Sequence, residues 1–389
     1  MTLRGARVAL SAESAALIDV YVTRGRVHTL VPQKRNRVTL NLSGFLILPG
    51  LINAHDHLEF NLFPRLGNGI YDNATSWARD IYRPNSAPIR QHLGVPKTVR
   101  LLWGGIKNLL SGVTSVSHHN PYHAGVFDRS FPVRVLKNFG WAHSLRFCSD
   151  VEERFRQTPV GAPFIIHACE GKDSQARNEI NELNAAGLLG PSTILVHAVA
   201  IDKREIALLE ANGVCNIWCP TSNHFTLGRS LSKDAFESGI PIALGSDSAL
   251  TAAGDFLDEV RAASKHVSPA RLYDMVTRIA AQVLRLQAGE GALRDAGIAD
   301  LLVVSDNGQT PAEALVSMHP HLVMVGGRIK LVSPEMARHL GLKELPGFEQ
   351  IQVEDRGRWF IDYPVSALLE RTATYLGHDF RLAGKRVFA

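Results

Sequence analysis

Cysteine is scarce in this chain of 389 residues: Cys148, Cys169, Cys215 and Cys219 are the four, and none stands in a CxxC pair. They offer no disulfide framework, and reduced, mostly buried thiols in a cytoplasmic protein are expected. Long apolar runs are missing as well. No stretch approaches the ~20 residues needed to span a bilayer. Glu13 and Asp19 interrupt the N-terminal segment before a signal-peptide core can form, so neither a membrane nor secretion is indicated. An excess of one charge is also lacking. The 42 Lys and Arg against 37 Asp and Glu leave +5, too dilute on this length for a nucleic-acid or anionic-membrane surface. Repeats and low-complexity tracts are absent, the 32 Gly and 19 Pro being scattered at turns. What remains, 45% hydrophobic and 20% charged residues, is an ordinary globular composition with room for one large domain and a small one.

The chain divides by pattern. Short β-branched runs at 18–22, 26–31 and 37–42, separated by Gly25 and Pro32, predict a small antiparallel sheet. From Ile47 to Leu250 short apolar runs alternate with amphipathic helical stretches, as in a parallel sheet covered by helices. Eight candidate strands lie at 47–54, 114–118, 133–136, 141–147, 164–168, 193–198, 214–218 and 240–244. Two helices have clear apolar faces, one carrying Val99, Trp103, Ile106 and Leu110, the other Leu272, Met275, Ile279, Val283 and Leu286. Only residues 137–140 separate the third and fourth strands, too few for a crossover helix, so either a helix is lost there or that strand is wrong. Strand-like text returns at 299–305 and 321–329, with Gly326-Gly327 as a hairpin turn. The expected organisation is an α/β chain: a (β/α)8 TIM-like barrel over 46–296, a small β-sandwich from 1–45 with 297–340, and a C-terminal extension over 341–389. Packing of that extension on the barrel or on a second subunit of a homodimer stays open.

The strongest chemical signal is His55-Asp56-His57 at the end of the first barrel strand. Side chains two apart in a strand point the same way, so both imidazoles can address one metal ion. Three more strand ends carry polar groups after apolar runs, at His167, His197 and Asp247. A single such histidine is more often a hydrogen-bonded core residue than a ligand. Four placements converge, because the C-terminal ends of barrel strands meet at one mouth. Imidazoles with a carboxylate suit one divalent cation, Zn²⁺ foremost, with Fe²⁺ and Mn²⁺ as alternatives. Glu170 lies off the strand parity of His167 and reaches the mouth only if the chain turns, which Gly171 makes easy; there it could move protons. His118 and His119 end the second strand, as substrate contacts or as structural histidines.

Seven segments taken together resemble the amidohydrolase superfamily: LPGLINAHDHLE at 48–59, SGVTSV at 111–116, HACE at 167–170, LVHAV at 195–199, CPTSN at 219–223, GSDS at 245–248 and GIADLLVV at 297–304. The branch they resemble includes cytosine, guanine and S-adenosylhomocysteine deaminases and triazine hydrolases. The resemblance implies that His55, His57, His167 and Asp247 bind the metal, that His197 holds the attacking water, and that Glu170 shuttles protons. Strand four, at 141–147, lacks the lysine of binuclear members, which implies a single metal ion. Asn223 matches a position used near substrate or to brace the site, and capping of its own loop is the alternative. His143 and Arg146 loosely match substrate-binding elements, although the region 119–161 is shorter than in the better-known deaminases. The expected reaction is metal-assisted attack of water on a C–N centre of a small molecule, most simply the deamination of an amino-substituted heterocycle. The competing readings are a ring-opening cyclic amidase similar to imidazolonepropionase, and a barrel without catalysis, whose mark would be lost ligands.

Overall fold

The computed structural model describes residues 1–28 and 38–389. The parts of the expected runs 26–31 and 37–42 that fall within 29–37, with the turn at Pro32, lie outside the described residues. The protein is an α/β structure. Among the described residues no helix is long and apolar enough to cross a membrane.

Eight parallel strands carry the site. They are β1 Leu51–Asp56, β2 Val113–His118, β3 Arg134–Val135, β4 Gly140–Ser144, β5 Phe164–Ala168, β6 Thr193–His197, β7 Cys215–Trp218 and β8 Ile242–Leu244. They form a three-stranded sheet ordered β3-β2-β1 and a five-stranded sheet running from β4 to β8. Ser246 N, just past β8, donates to His55 O of β1 at 2.9 Å, so the far edge of the larger sheet meets the first strand. Residues of β1, β5, β6, β7 and β8, among them Ile52, Ala54, Ile165, Val196, Ile217 and Ala243, share one buried apolar cluster. Strands buried on both faces need apolar residues at successive positions, which is why these segments read as runs and not as alternations.

The expected first strand is two. Phe45–Pro49 pairs with Leu301–Ser305 in a separate sheet, and only from Leu51 does the chain join β2. His57 falls one residue past β1, at the start of the 3-10 turn Leu58–Phe60. The third strand is real but two residues long, and β3 and β4 are not hydrogen-bonded to each other. No crossover is therefore demanded there, and among the described residues no helix lies between β2 and β4. The single helix expected over 272–286 is two, Pro269–Met275 and Arg278–Val283. They part where Val276 O accepts from Ile52 N of β1 and Thr277 leaves the helical region at φ −131° and ψ −101°.

The remaining strands form a ten-stranded and a four-stranded sheet. In the four-stranded sheet Thr2–Arg4 pairs antiparallel with Val20–Thr23 but parallel with Thr39–Asn41, so it is not the purely antiparallel sheet expected. The larger sheet joins the N-terminal Arg7–Ala9 to Phe45–Pro49 and, through Leu301–Ser305, to the hairpin Leu322–Val325 and Arg328–Val332. Gly326 and Gly327 turn that hairpin at φ +56° and +80°, left-handed values that glycine adopts without cost. Leu3, Val20, Leu40, Ile47, Leu301 and Met324 belong to one buried cluster spanning both sheets. The C-terminal segment packs on its own chain: Gly357–Ile361 pairs with Arg328–Val332, and the helix Val365–Leu376 reaches Lys97–Leu110, where Trp103 Nε1 donates to Thr372 Oγ1 at 2.7 Å. All four cysteines are free thiols.

Candidate metal centre and active site

The ends of β1, β5, β6 and β8 bring five side chains together. His167 Nε2 lies 3.2 Å from His55 Nε2 and 3.4 Å from His57 Nε2. Asp247 Oδ1 stands 3.7 Å from His57 Nε2 and 4.0 Å from His55 Nε2. Ligands on a tetrahedral ion at ~2.0–2.1 Å sit roughly 3.3 Å apart, so this spacing fits a divalent metal without rearrangement of the backbone. His197 stands beside the set, its Nε2 4.0 Å from Asp247 Oδ2 and 3.5 Å from Glu170 Oε2.

Protonation states suit the same purpose. Burial, helped by the neighbouring imidazoles, holds His55 and His167 well below the ordinary histidine range, so both rings are neutral and can ligate. Burial also lowers His57, although Asp247 and Asp56 pull the other way. Burial alone would raise Asp247, but His57, His197 and Ser222 outweigh it and hold the carboxyl below its usual value. Ser222 Oγ donates to Asp247 Oδ2 at 2.7 Å and Ser248 N to Oδ1 at 2.7 Å, which fixes the carboxylate. The ring tautomers are set from behind: His167 Nδ1 donates to His143 O at 2.7 Å and His197 Nδ1 to Asn223 Oδ1 at 2.6 Å, leaving both Nε2 lone pairs toward the centre.

The backbone is left-handed where the site needs it, at Cys169 (φ +55°), His197 (φ +76°), Ala198 (φ +49°) and Asp247 (φ +55°). Such non-glycine conformations cost on the order of 1–3 kcal/mol each and cluster at functional sites. The turn that returns Glu170 to the mouth is made by Cys169, not by Gly171 as expected. Gly171 is needed for space: a Cβ there would lie 2.5 Å from Ala176 Cβ. Burial, reinforced by Asp247 and Glu179 and eased by His197, pushes the Glu170 carboxyl up to about 7.

The other expected residues fall at graded distances. His119 is fully buried, its Nε2 donating to Ala142 O at 3.0 Å and its ring centroid 4.3 Å from that of His167. The His143 ring lies tilted against that of His167, centroids 4.9 Å apart, and burial lowers His143 to about 4. Arg146 turns to Glu182 and Glu179, at 2.6 and 3.3 Å, and Glu179 in turn accepts from Cys169 N at 2.7 Å. It thus supports the turn that carries Glu170. Asn223 braces His197. His118 accepts from Leu58 N at 3.2 Å, and burial lowers it to about 3. Sequence reasoning missed the buried polar group beneath the ligands: Asp56, Asn61, Lys107, Asn108 and Ser246. Its signal was a Lys-Asn pair inside an apolar helix face.

Residues 143–330 match the model of the amidohydrolase family. The 5-methylthioadenosine/S-adenosylhomocysteine deaminase of Syntrophobacter fumaroxidans is 26% identical over 342 residues, 74% of each chain. The 5'-deoxyadenosine deaminase of Methanobrevibacter smithii is 22% identical over 333 residues, 69% of this chain and 74% of that one. Among solved structures, an adenosine deaminase of Xanthomonas campestris with bound zinc superposes with a TM-score of 0.72 at 16% identity, covering 96% of this chain and 97% of the other. The zinc complex of atrazine chlorohydrolase from Arthrobacter aurescens also gives 0.72 at 16% identity, with 96% and 99% covered. Matched segment, relatives and superposed structures agree with the motifs read from the sequence in their likeness to the amidohydrolase family, whose model covers residues 143–330 of this chain.

Proposed function

We propose that this protein is a metal-dependent hydrolase that deaminates an amino-substituted heterocycle, with adenine nucleoside derivatives the class to which its relatives' names point. The observation that carries the reading is Glu170: a carboxyl 3.5 Å from His197 on the rim of the ligand cluster, pushed up to about 7. A group of that kind takes and returns a proton near neutral pH. One zinc ion would be held by His55, His57, His167 and Asp247, and when bound it supplies the Lewis acidity that lets water lose a proton near neutrality. Asp247 and His197 orient the water for addition to the ring carbon that bears the amine. Glu170 takes a proton from the water and delivers it to the ring nitrogen, then moves the proton of the added hydroxyl to the amine as the carbonyl forms, the C–N bond breaks and ammonia leaves. His119, His143 and Arg146 line or support the side on which substrate would lie.

The reading includes the architecture. The eight strands, over 46–296, close as a TIM-like (β/α)8 barrel that lacks, among the described residues, the helices between β2 and β4, with the cluster at its mouth, and 1–45 with 297–340 form a β-sandwich. The Ser246–His55 link and the apolar core common to the two sheets support these assignments. A panel of aminopurines, aminopyrimidines and cyclic amides, assayed for ammonia, tests the reaction. Ammonia from an adenine nucleoside derivative is expected, whereas ring opening without ammonia would favour the cyclic amidase.

A further inference from the structure

We infer that Lys107 is a positioning residue of the metal centre, holding the strand end between His55 and His57 and the backbone before Asp247 in ligating geometry; the inference rests on the metal-site reading above. Lys107 belongs to the helix Lys97–Leu110, and its side chain is 1% exposed. Its Nζ lies 2.8 Å from Asp56 Oδ2 and donates to Asn61 Oδ1 at 3.0 Å and to Ser246 Oγ at 3.2 Å, three acceptors for the three N–H of an ammonium.

Each acceptor leads to the centre. Asp56 stands between His55 and His57, and its fully buried carboxylate also accepts from Asn61 Nδ2 and Asn108 Nδ2, both at 2.8 Å. Asn61 closes the turn that follows His57. Ser246 precedes Asp247, and the backbone N–H groups of both donate to His55 O, at 2.9 and 3.1 Å. One ammonium thereby ties β1 on both sides of its ligands to the end of β8.

Stability alone does not call for this arrangement. Taking two charges out of water is expensive, and a buried ion pair gains little over an apolar pair of the same volume. What a pair of this kind does supply is fixed geometry: neither partner can move without leaving a buried charge unmet. Metal ligands need such fixing to about half an ångström, and residues behind the ligands set affinity. Lys107 touches neither the ligating atoms nor, from beneath the strand ends, the mouth.

The test is zinc affinity of the metal-stripped, full-length protein, measured with zinc alone by competition with a chromophoric chelator, alongside the melting temperature of the same metal-free samples. Lys107→Met should bind zinc about 10–100-fold more weakly. Ser246→Ala, which removes one link and no charge, should bind several-fold more weakly with little change in metal-free melting. A purely structural role would lower melting and leave affinity alone, so wild-type zinc affinity in folded K107M overturns the inference. If K107M does not fold, S246A decides: wild-type affinity there, or failure of S246A to fold, overturns it equally. A wild-type protein that takes up no zinc would instead overturn the reading of the site itself, and the inference with it.

Discussion

Glu170 and His197 differ from the four proposed ligands in what their loss should do. Glu170→Gln keeps size and hydrogen-bonding reach but not the exchangeable proton, so zinc content should hold while kcat falls by about 10²–10⁴. His197→Asn should also keep the metal and lose turnover, whereas Asp247→Asn should lower both; metal analysis and rates on the same preparations check this. The pH profile carries a sign. With the Glu170 carboxyl up at about 7, its proton-accepting form declines as pH falls through that value, so kcat/KM should drop on the acid side. E170Q should lack that limb. The candidate cluster was legible because four apolar runs close on polar groups and their ends converge, at His55 and His57, His167, His197 and Asp247; any one of them alone reads as a core residue. Asp56 and Lys107 were not: one faces away from the ligating side of its strand, and a lysine on an apolar helix face reads as a snorkelling surface residue until its carboxylate partner is seen.

Between elements, the most informative link is Glu259, on the helix Phe256–Ala263, which accepts from Thr221 N at 3.1 Å and contacts the Thr221 hydroxyl on Pro220–Leu227. That second helix carries Ser222 and Asn223, which brace Asp247 and His197. Burial pushes the Glu259 carboxyl from 4.5 up to about 8, against the Thr221 hydrogen bonds that lower it. The folded state therefore binds this proton more tightly than the unfolded chain. The resulting stability is fully present below about 4.5, declines as pH rises, and is gone above about 8. Its size is on the order of a few kcal/mol. Denaturant unfolding from pH 7 to 9, above the range in which the unfolded chain's histidines titrate, should show that decline, and Glu259→Gln should make it shallower, leaving the share that Glu170 contributes; an unchanged slope in the variant would remove Glu259 as a source. Sequence periodicity located most elements but not their breaks. The helices Pro269–Met275 and Arg278–Val283 present one continuous apolar face in the sequence, and they part where Ile52 N donates to Val276 O and Thr277 leaves the helical region. In the same way Phe45–Pro49 and Leu51–Asp56 form one apolar run whose halves serve two sheets.

At the scale of the molecule, N- and C-terminal segments fold together. Phe45–Pro49 lies between Arg7–Ala9 and Leu301–Ser305, and the buried side chains of Leu301, Val303, Leu322 and Met324 pack in a cluster with Leu3, Val8, Val20 and Leu40. Deleting residues 1–44 should expose that cluster and destabilise the whole protein, seen as aggregation or a lowered melting temperature. A soluble, active chain starting at Phe45 would refute the coupling. The last fifty residues had no assignment from their pattern because their partners are remote in sequence: Leu331 lies opposite Ile361, and Trp103 bonds Thr372. All of these segments hold in place a centre whose proposed work is metal-assisted release of ammonia. The most direct test is a titration of the metal-free protein with zinc while ammonia release from an adenine nucleoside derivative is followed. Turnover should be absent without zinc and rise to a plateau at one equivalent per chain; full turnover by the metal-free protein, or a plateau only at two equivalents, would contradict it.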